Sequence, residues 1–306
     1  MTALRRDDLP PLLENGNRPP NFIGRVHDIW NYRELLGNLV RRELKVKYKD
    51  SILGFFWTLL NPLLYLAVFS VVFGLVLRST VPRYGLLLLS GLLAFNLFQV
   101  GLTAATTSIT GNGPLVQKVW FPREILPLAA IGANLITFFF QLTILAVGLI
   151  IFRQAPEWRL LWLTLPALAV TLILATGLGL LLSSLNVYYR DVQHFLELGL
   201  LTWFWFTPIV YAYDFMGRGL IDKFGPGAER LAMLNPMIPV VTTFQRTVYN
   251  PTNVPATTQE EHFALLLRPT SWYLTNLGIG GAIAVALLYL GFKVFTRLEA
   301  NLGEEL

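Results

Sequence analysis

Six long apolar runs dominate the pattern of hydrophobic and polar positions along this 306-residue chain. A helix that crosses a bilayer needs about 20 consecutive, mostly apolar residues. Each run approaches or exceeds that length: 54–77, 85–109, 125–152, 160–185, 195–213 and 274–295. The pattern therefore predicts an all-α polytopic membrane protein with six transmembrane helices, within a membrane domain that occupies residues 50–306.

The long connection between the fifth and sixth runs, residues 214–273, is not simply polar. Its part 229–249 is interrupted by Pro236 and Pro239 but is rich in large apolar residues, among them Leu231, Met233, Leu234, Met237, Ile238, Val240, Val241 and Phe244. It is too short and too broken to span, so we interpret it as a re-entrant helical pair that dips back from the outside. Such backbone survives at membrane depth only where protein or water covers it. An external amphipathic helix is the alternative.

The residues before the first run divide into two segments. Residues 1–27, which begin with a polar, Pro-rich stretch, are predicted to be a flexible cytoplasmic tail. In 28–49, apolar residues recur at helical spacing opposite polar ones, which predicts an amphipathic interface helix on the cytoplasmic membrane surface. This helix either only anchors the chain to lipid or also gates a pathway or contacts a partner. The residues proposed for gating are basic: Arg41, Arg42, Lys45 and Lys47.

The distribution of charge fixes the expected orientation. Charged residues make up only 14% of the chain and hydrophobic residues 54%, which argues against a soluble protein, a coiled coil or a nucleic-acid-binding module. Ten of the 24 Lys and Arg residues precede Leu53, and the net charge of +5 reflects this concentration. Because cytoplasmic segments are enriched in Lys and Arg, we expect both termini to be cytoplasmic.

The sequence lacks the motifs of several kinds of chemistry. It contains no Cys, no phosphate-binding G-x-x-x-x-G-K-[ST] loop and no H-E-x-x-H or G-x-S-x-G motif. We therefore predict no catalytic residue, no metal ligand and no cofactor in this chain. Glu197 is the one carboxylate within the apolar runs, and we interpret it as an interface residue. If the chain moves a substrate, the energy is expected from another subunit, and a membrane glycosyltransferase or a flippase acting alone is disfavoured.

Four groups of residues, in order along the chain, resemble the permease subunits of bacterial polysaccharide-exporting ABC transporters, which include the O-antigen, teichoic acid and galactan exporters. The first is 43–54 (ELKVKYKDSILG) with Trp57 and Asn61-Pro62-Leu63. The others are FPREILP at 121–127, NVYYRDV at 186–192 continuing to WFTPIVY at 205–211, and Asn235-Pro236. The resemblance extends from about Trp30 to the C-terminus.

This resemblance implies a permease homodimer in a bacterial plasma (inner) membrane, which works with two separate ATPase subunits that bind ATP and Mg²⁺. The complex is expected to export a lipid-linked polysaccharide. An ABC permease for another amphiphile, such as a drug or a lipid, is the alternative. Membrane lipids are the other expected partners, and no nucleic acid is expected.

The resemblance also assigns candidate site residues. Aromatic rings can stack on sugars and so line a glycan channel, for which the candidates are Trp203, Phe204, Trp205, Phe206, Trp57 and Tyr65. Contacts with the ATPase are expected from two cytoplasmic loops through Pro114, Leu115, Val116, Lys118, Tyr189, Arg190 and Asp191. Each assignment has an alternative. The aromatic residues could form a belt at the membrane interface. The loop with residues 114–118 could be a plain connection, and Arg190 and Asp191 could be a charge pair that only reaches the membrane surface.

Overall fold

A computed structural model describes residues 22–49, 51, 53–54, 56–76, 81–119, 121–299 and 305. These residues form thirteen α-helices and no strand, which confirms the predicted all-α class. The helices are, in chain order, α1 Phe22–Asn31, α2 Arg33–Tyr48, α3 Phe56–Val71, α4 Tyr84–Thr107, α5 Gly113–Lys118, α6 Ile125–Ile151, α7 Thr164–Tyr188, α8 Val192–Trp205, α9 Tyr213–Phe224, α10 Pro226–Ala232, α11 Met237–Phe244, α12 Ala256–His262 and α13 Thr270–Leu298.

Five of the six predicted spans are helices that are long and apolar enough to cross a membrane, counted over the described residues. Short π- or 3₁₀-helical turns extend two of them. The five are Phe56–Val76, Tyr84–Thr107, Ile125–Ile151, Leu161–Tyr188 and Thr270–Leu298. The chain is therefore a multi-pass membrane protein.

The fifth predicted span differs from its prediction. Instead of one helix over 195–213, the structure has α8, which has 14 residues and ends at Trp205. At 1.5 Å per residue it is about 21 Å long, short of the roughly 30 Å hydrocarbon core. The helix stops here because Pro208 has no N–H to donate and disfavours helical backbone at Thr207.

Helix α4 is the centre of the fold, and α3 lies at its edge. In the most apolar stretch of α4, 83% of the residues are buried, against 11% in that of α3. Helix α4 packs against α3, α6, α7, α8 and α11. One face of α3 contacts α4 and α6, and much of the rest of its surface is not covered by the described residues.

Helices α7 and α13 make the closest contact between main chains. A Cβ atom added at Gly291 would lie 2.0 Å from the carbonyl oxygen of Gly177, and one added at Gly177 would lie 2.6 Å from the main chain of Leu288. Both positions therefore require glycine, because any side chain would force the two helices apart.

The loop predicted to contain a re-entrant segment is largely helical. Helix α11 continues into a π-helical turn, Gln245–Tyr249, and every residue from Met237 to Tyr249 is buried. Helix α11 packs against α4, α7 and α13. This burial within the protein is what a re-entrant segment requires, whereas an amphipathic helix on the outer surface would expose one face.

The N-terminal region corrects two predicted boundaries. The interface helix expected over 28–49 is two helices, α1 and α2, which are separated at Tyr32. Residues 22–27, expected in the flexible tail, belong to α1, and residues 1–21 lie outside the described part. Helix α2 packs along α6.

The buried apolar side chains form two clusters. The main core surrounds α4 and α11 and includes Phe95, Phe98, Phe138 and Phe244. A smaller group, which we call the helix-end cluster, gathers the ends of α4, α6, α7 and α13 with α2 and the loop that contains α5. Its buried members are Leu39, Ile109, Val116, Phe121, Ile125, Leu126, Ala129, Leu180, Val187, Phe292 and Phe295.

Candidate functional site

A large cavity, which we call the groove, lies among α3, α4, α6 and α8. Its volume is about 790 Å³. The residues that line it are Lys47, Trp57, Thr58, Asn61, Pro62, Tyr65, Phe69, Leu88, Leu92, Asn96, Leu97, Gln99, Val100, Asn134, Thr137, Phe138, Gln141, Glu197, Leu201, Phe204 and Val210. Because the groove runs along three spanning helices, a molecule within it would be held at membrane depth.

Side-chain amides are the main polar groups along the groove. Helix α3 contributes Asn61, α4 contributes Asn96 and Gln99, and α6 contributes Asn134 and Gln141. The spacings of three residues on α4 and of seven on α6 keep each pair on one helix face. An amide is neutral and both donates and accepts hydrogen bonds, so it suits hydroxyl groups. The groove can therefore bind a neutral, hydroxyl-rich molecule.

Three of the six aromatic residues predicted for the channel line the groove: Trp57, Tyr65 and Phe204. Trp205 and Phe206 do not, and their side chains are exposed on another face of this chain. Successive residues of a helix point about 100° apart, so they cannot share one wall.

Trp203 does not line the groove either. Its indole N–H donates a hydrogen bond to Oδ1 of Asn235 at 2.7 Å, and its ring lies edge-on to Phe98 with centroids 5.0 Å apart. Asn235 also donates to the hydroxyl oxygen of Thr207 at 3.2 Å. Trp203 thus connects the end of α8 to the segment before α11, and its role in the channel remains a prediction.

Sequence reasoning missed the amides, because only ionisable residues were weighed as polar groups within the spans. The available signal was the occurrence of Asn and Gln at helical spacing inside apolar runs, where an unpaired amide is costly. Glu197, predicted to be an interface residue, lines the groove. Among the described residues, no group of three or more His, Asp or Glu side chains is placed to hold a metal ion.

The four basic residues predicted on the interface helix occupy different places. Lys47 lines the groove and also a neighbouring cavity of about 240 Å³ between α2, α4 and α6. Arg42 donates to Glu43 at 3.1 Å and to the side chain of Asn112, which joins α2 to the loop before α5. Arg41 and Lys45 are exposed. One of the four therefore stands at the groove.

The first of the two loops predicted to contact the ATPase contains the short helix α5, Gly113–Lys118. Pro114 and Lys118 are exposed and Leu115 is half-buried, but the side chain of Val116 is 4% exposed and belongs to the helix-end cluster. Val116 is therefore packed within its own chain, and its contact with another subunit remains a prediction. Pro114 and Lys118 remain accessible.

The second predicted contact lies at the turn between α7 and α8. Tyr189, Arg190 and Asp191 are all exposed there, and the N–H of Val192 donates to the carbonyl oxygen of Tyr189 at 3.2 Å. This turn is stabilised by main-chain bonds, which leaves its charged side chains free for other contacts.

Comparison with known proteins places these features in a family. The sequence matches the family described as ABC-2 type transporter over residues 34–225, more than half of the chain. It is 32% identical to an O-antigen export system permease protein of Klebsiella pneumoniae, over 89% of this chain and 94% of that protein. A protein of the same name from Myxococcus xanthus is 32% identical over 74% of this chain and 85% of its own length. A polysialic acid transport protein of Escherichia coli is 23% identical over 56% of this chain and 68% of its own. This chain belongs to the membrane-protein family of ABC-2 type transporters.

Proposed function

We propose that this chain is the membrane subunit of an ATP-driven exporter that moves a polysaccharide out of the cytoplasm across the inner membrane. The observation that carries the proposal is the groove, in which five amides and several aromatic rings face one space among spanning helices. The similar proteins named for O-antigen export and polysialic acid transport point to the same class of substrate.

The chemistry of the groove favours a glycan over a drug or a simple lipid. Sugar hydroxyls both donate and accept hydrogen bonds, as the amides of Asn96, Asn134 and Gln141 do. The rings of Trp57 and Tyr65 offer flat apolar faces to the C–H faces of sugars. An apolar drug would leave the amides unpaired, which costs about 1–3 kcal/mol for each buried group. A lipid anchor on the glycan would lie along the exposed apolar face of α3.

The energy is proposed to come from a separate ATPase, which binds ATP and Mg²⁺, with two such subunits on a permease homodimer. The accessible surfaces for it are Pro114 and Lys118 on α5 and the exposed turn at Arg190. The excess of Lys and Arg before the first span supports the orientation with both termini in the cytoplasm. The chain itself is then a transport permease and not an enzyme.

A matched pair of amide substitutions tests the role of the groove. Asn134 lines it and donates to the carbonyl oxygen of Ala130 at 2.9 Å. Asn276 on α13 makes the same kind of bond to its own helix, to Trp272 at 2.8 Å, but lies outside the groove. Asn134→Leu and Asn276→Leu therefore remove equivalent helix contacts, and only the first removes an amide from the groove.

The measurement is surface glycan in cells of the host that carry only the variant, normalised to the amount of folded permease in the membrane. We expect Asn134→Leu to lower export about tenfold, the effect of roughly 1.4 kcal/mol of lost binding, and Asn276→Leu to export normally. Equal export by the two variants would show that the groove amides do not contact the substrate. Normal surface glycan in cells without the permease would refute glycan export.

A further inference from the structure

Three charged side chains from distant parts of the sequence meet beside the helix-end cluster. Nη1 of Arg25, on α1, lies 3.4 Å from Oε1 of Glu124, the residue that precedes α6. The same guanidinium donates to both carboxylate oxygens of Glu299, which follows α13, at 3.3 and 2.5 Å. A single cation thus joins the N-terminal helix, the end of the first inter-span loop and the end of the last helix.

The three charged side chains are largely buried. The side chain of Glu124 is 1% exposed, and those of Arg25 and Glu299 are 17% and 16% exposed. Within the described part of the chain, neither carboxylate oxygen of Glu124 accepts a hydrogen bond, and Arg25 is its one ion-pair partner. Exposed ion pairs contribute little, but a buried charge that loses its counter-charge is strongly destabilised.

The end of α13 is held by two further contacts. Arg123 donates to the main-chain carbonyl oxygen of Glu299, and the hydroxyl of Tyr188, at the end of α7, donates to that of Leu298 at 3.1 Å. The loop that ends at Glu124 also contributes Val116 and Phe121 to the helix-end cluster. Arg25 therefore attaches α1 to a block that already combines the loop with the ends of α7 and α13.

We propose that Arg25, Glu124 and Glu299 form an ionic clasp, in which Arg25 is a positioning residue that makes α1 and α2 move together with the α5 loop. A displacement of α5 by the ATPase then reaches α2, which carries Lys47 at the groove. Only this transmission step rests on the proposed function, because the clasp itself is a property of the chain alone.

A matched pair of arginine substitutions tests the clasp. Arg33 begins α2, is exposed and donates only to the carbonyl oxygen of Trp30 among the described residues, at 3.4 Å. Arg25→Gln and Arg33→Gln each remove one positive charge from the N-terminal helices, so weaker attraction to anionic lipid would affect both equally. Two quantities are measured: export per unit of ATP hydrolysed by the complex, and cleavage by chymotrypsin at Trp30 and Tyr32 in the purified full-length chain in detergent.

We expect Arg25→Gln to lower export per ATP roughly tenfold, to leave hydrolysis by the complex in place and to speed cleavage at Trp30 by a similar factor. Arg33→Gln should behave as the unmodified protein in both measurements. Equal behaviour of the two variants would overturn the clasp. If the unmodified complex exports no glycan, the proposed function fails, and the cleavage rates still decide whether the clasp exists.

A charge exchange covers the case in which Arg25→Gln does not fold. The double variant Arg25→Glu with Glu299→Arg restores one opposite pair and keeps a cation near Glu124. Slow cleavage in the double variant, with fast cleavage in Arg25→Glu alone, supports the clasp. Equally fast cleavage in both variants contradicts it.

Discussion

The main core and the helix-end cluster are stabilised in different ways. Around α4 and α11 the main core consists of interlocking apolar side chains, with Phe244 beside Phe138 at a centroid distance of 6.1 Å. The helix-end cluster is smaller and lies against the ionic clasp, which contains the buried carboxyl group of Glu124. The stability of the first region should depend mainly on the packing of its rings, whereas that of the second should depend more strongly on pH and on charge.

The largest effect is expected from removing a ring in the main core. Phe244→Ala, at a side chain 4% exposed, should destabilise the protein by about 3–5 kcal/mol, because the cavity cannot refill. Phe195→Ala on α8, where the ring is 73% exposed, is the control and should leave stability unchanged. Thermal unfolding in detergent compares them. Similar losses would mean that α8 is as well packed as α11.

A charge placed in the helix-end cluster should come next. Val116→Asp buries a carboxylate among apolar side chains, which we expect to cost about 3 kcal/mol and to lower the yield of folded protein. Lys118→Glu, two residues further on the exposed side of α5, should fold normally and reduce copurification of the ATPase. If Val116→Asp folded normally but no longer copurified with the ATPase, Val116 would lie on the side of α5 that contacts the ATPase.

The pH dependence should separate the two regions further. Burial, followed by repulsion from Glu299, raises the pKa of Glu124 to about 7, against the lowering effect of Arg25; Asp28 adds a small further increase. Between pH 4.5 and 7 the folded protein keeps a proton that the unfolded chain has lost. Stability should therefore fall as the pH rises through this range, by about 3 kcal/mol in total.

Glu124→Gln should remove that fall, because the amide does not titrate. The measurement is the unfolding temperature at pH 5 and at pH 8, for this variant and for the unmodified chain. Phe195→Ala is the control and should keep the full pH dependence. An unchanged pH dependence in Glu124→Gln would mean that another group titrates and that Glu124 remains ionised throughout.

The smallest expected effect concerns the connection between α8 and α11. Trp203→Phe keeps a ring against Phe98 but removes the donor to Asn235, which should cost about 1 kcal/mol, the net value of one hydrogen bond. Export corrected for folded protein should not change. A loss of export larger than the loss of folded protein would show that Trp203 contacts the substrate.

The sequence predicted what depends on apolar length and local backbone chemistry. Five spans follow from long apolar runs. The end of α8 was missed, because the run 195–213 was predicted as one span although it contains Pro208. The neighbours that each side chain of residues 203–206 faces could not be predicted, because they depend on which helices pack against α8. The clasp was equally hidden, since Arg25, Glu124 and Glu299 are brought together only by tertiary structure.

The amides of the groove also could not be predicted from the sequence. The runs that form α3, α4 and α6 each contain one or two amides among more than fifteen mostly apolar residues, so none of these amides is conspicuous alone. Their shared orientation follows from how α3, α4 and α6 pack, which the apolar pattern does not specify. The resemblance to polysaccharide exporters gave the family correctly, yet three of the six predicted channel aromatics, Trp203, Trp205 and Phe206, do not line the groove.

The contact of Gly177 with Gly291 limits how the groove can change its width. With main chains touching there, α7 and α13 have no side chains between them that could slide or change rotamer. They should behave as one rigid body, and α4, packed on α7, should move with them. Of the four helices that line the groove, α3 and α8 have the fewest buried residues, so these two are the walls that can move most easily. Lateral displacement of these two helices is the motion by which a bulky chain could be admitted or released.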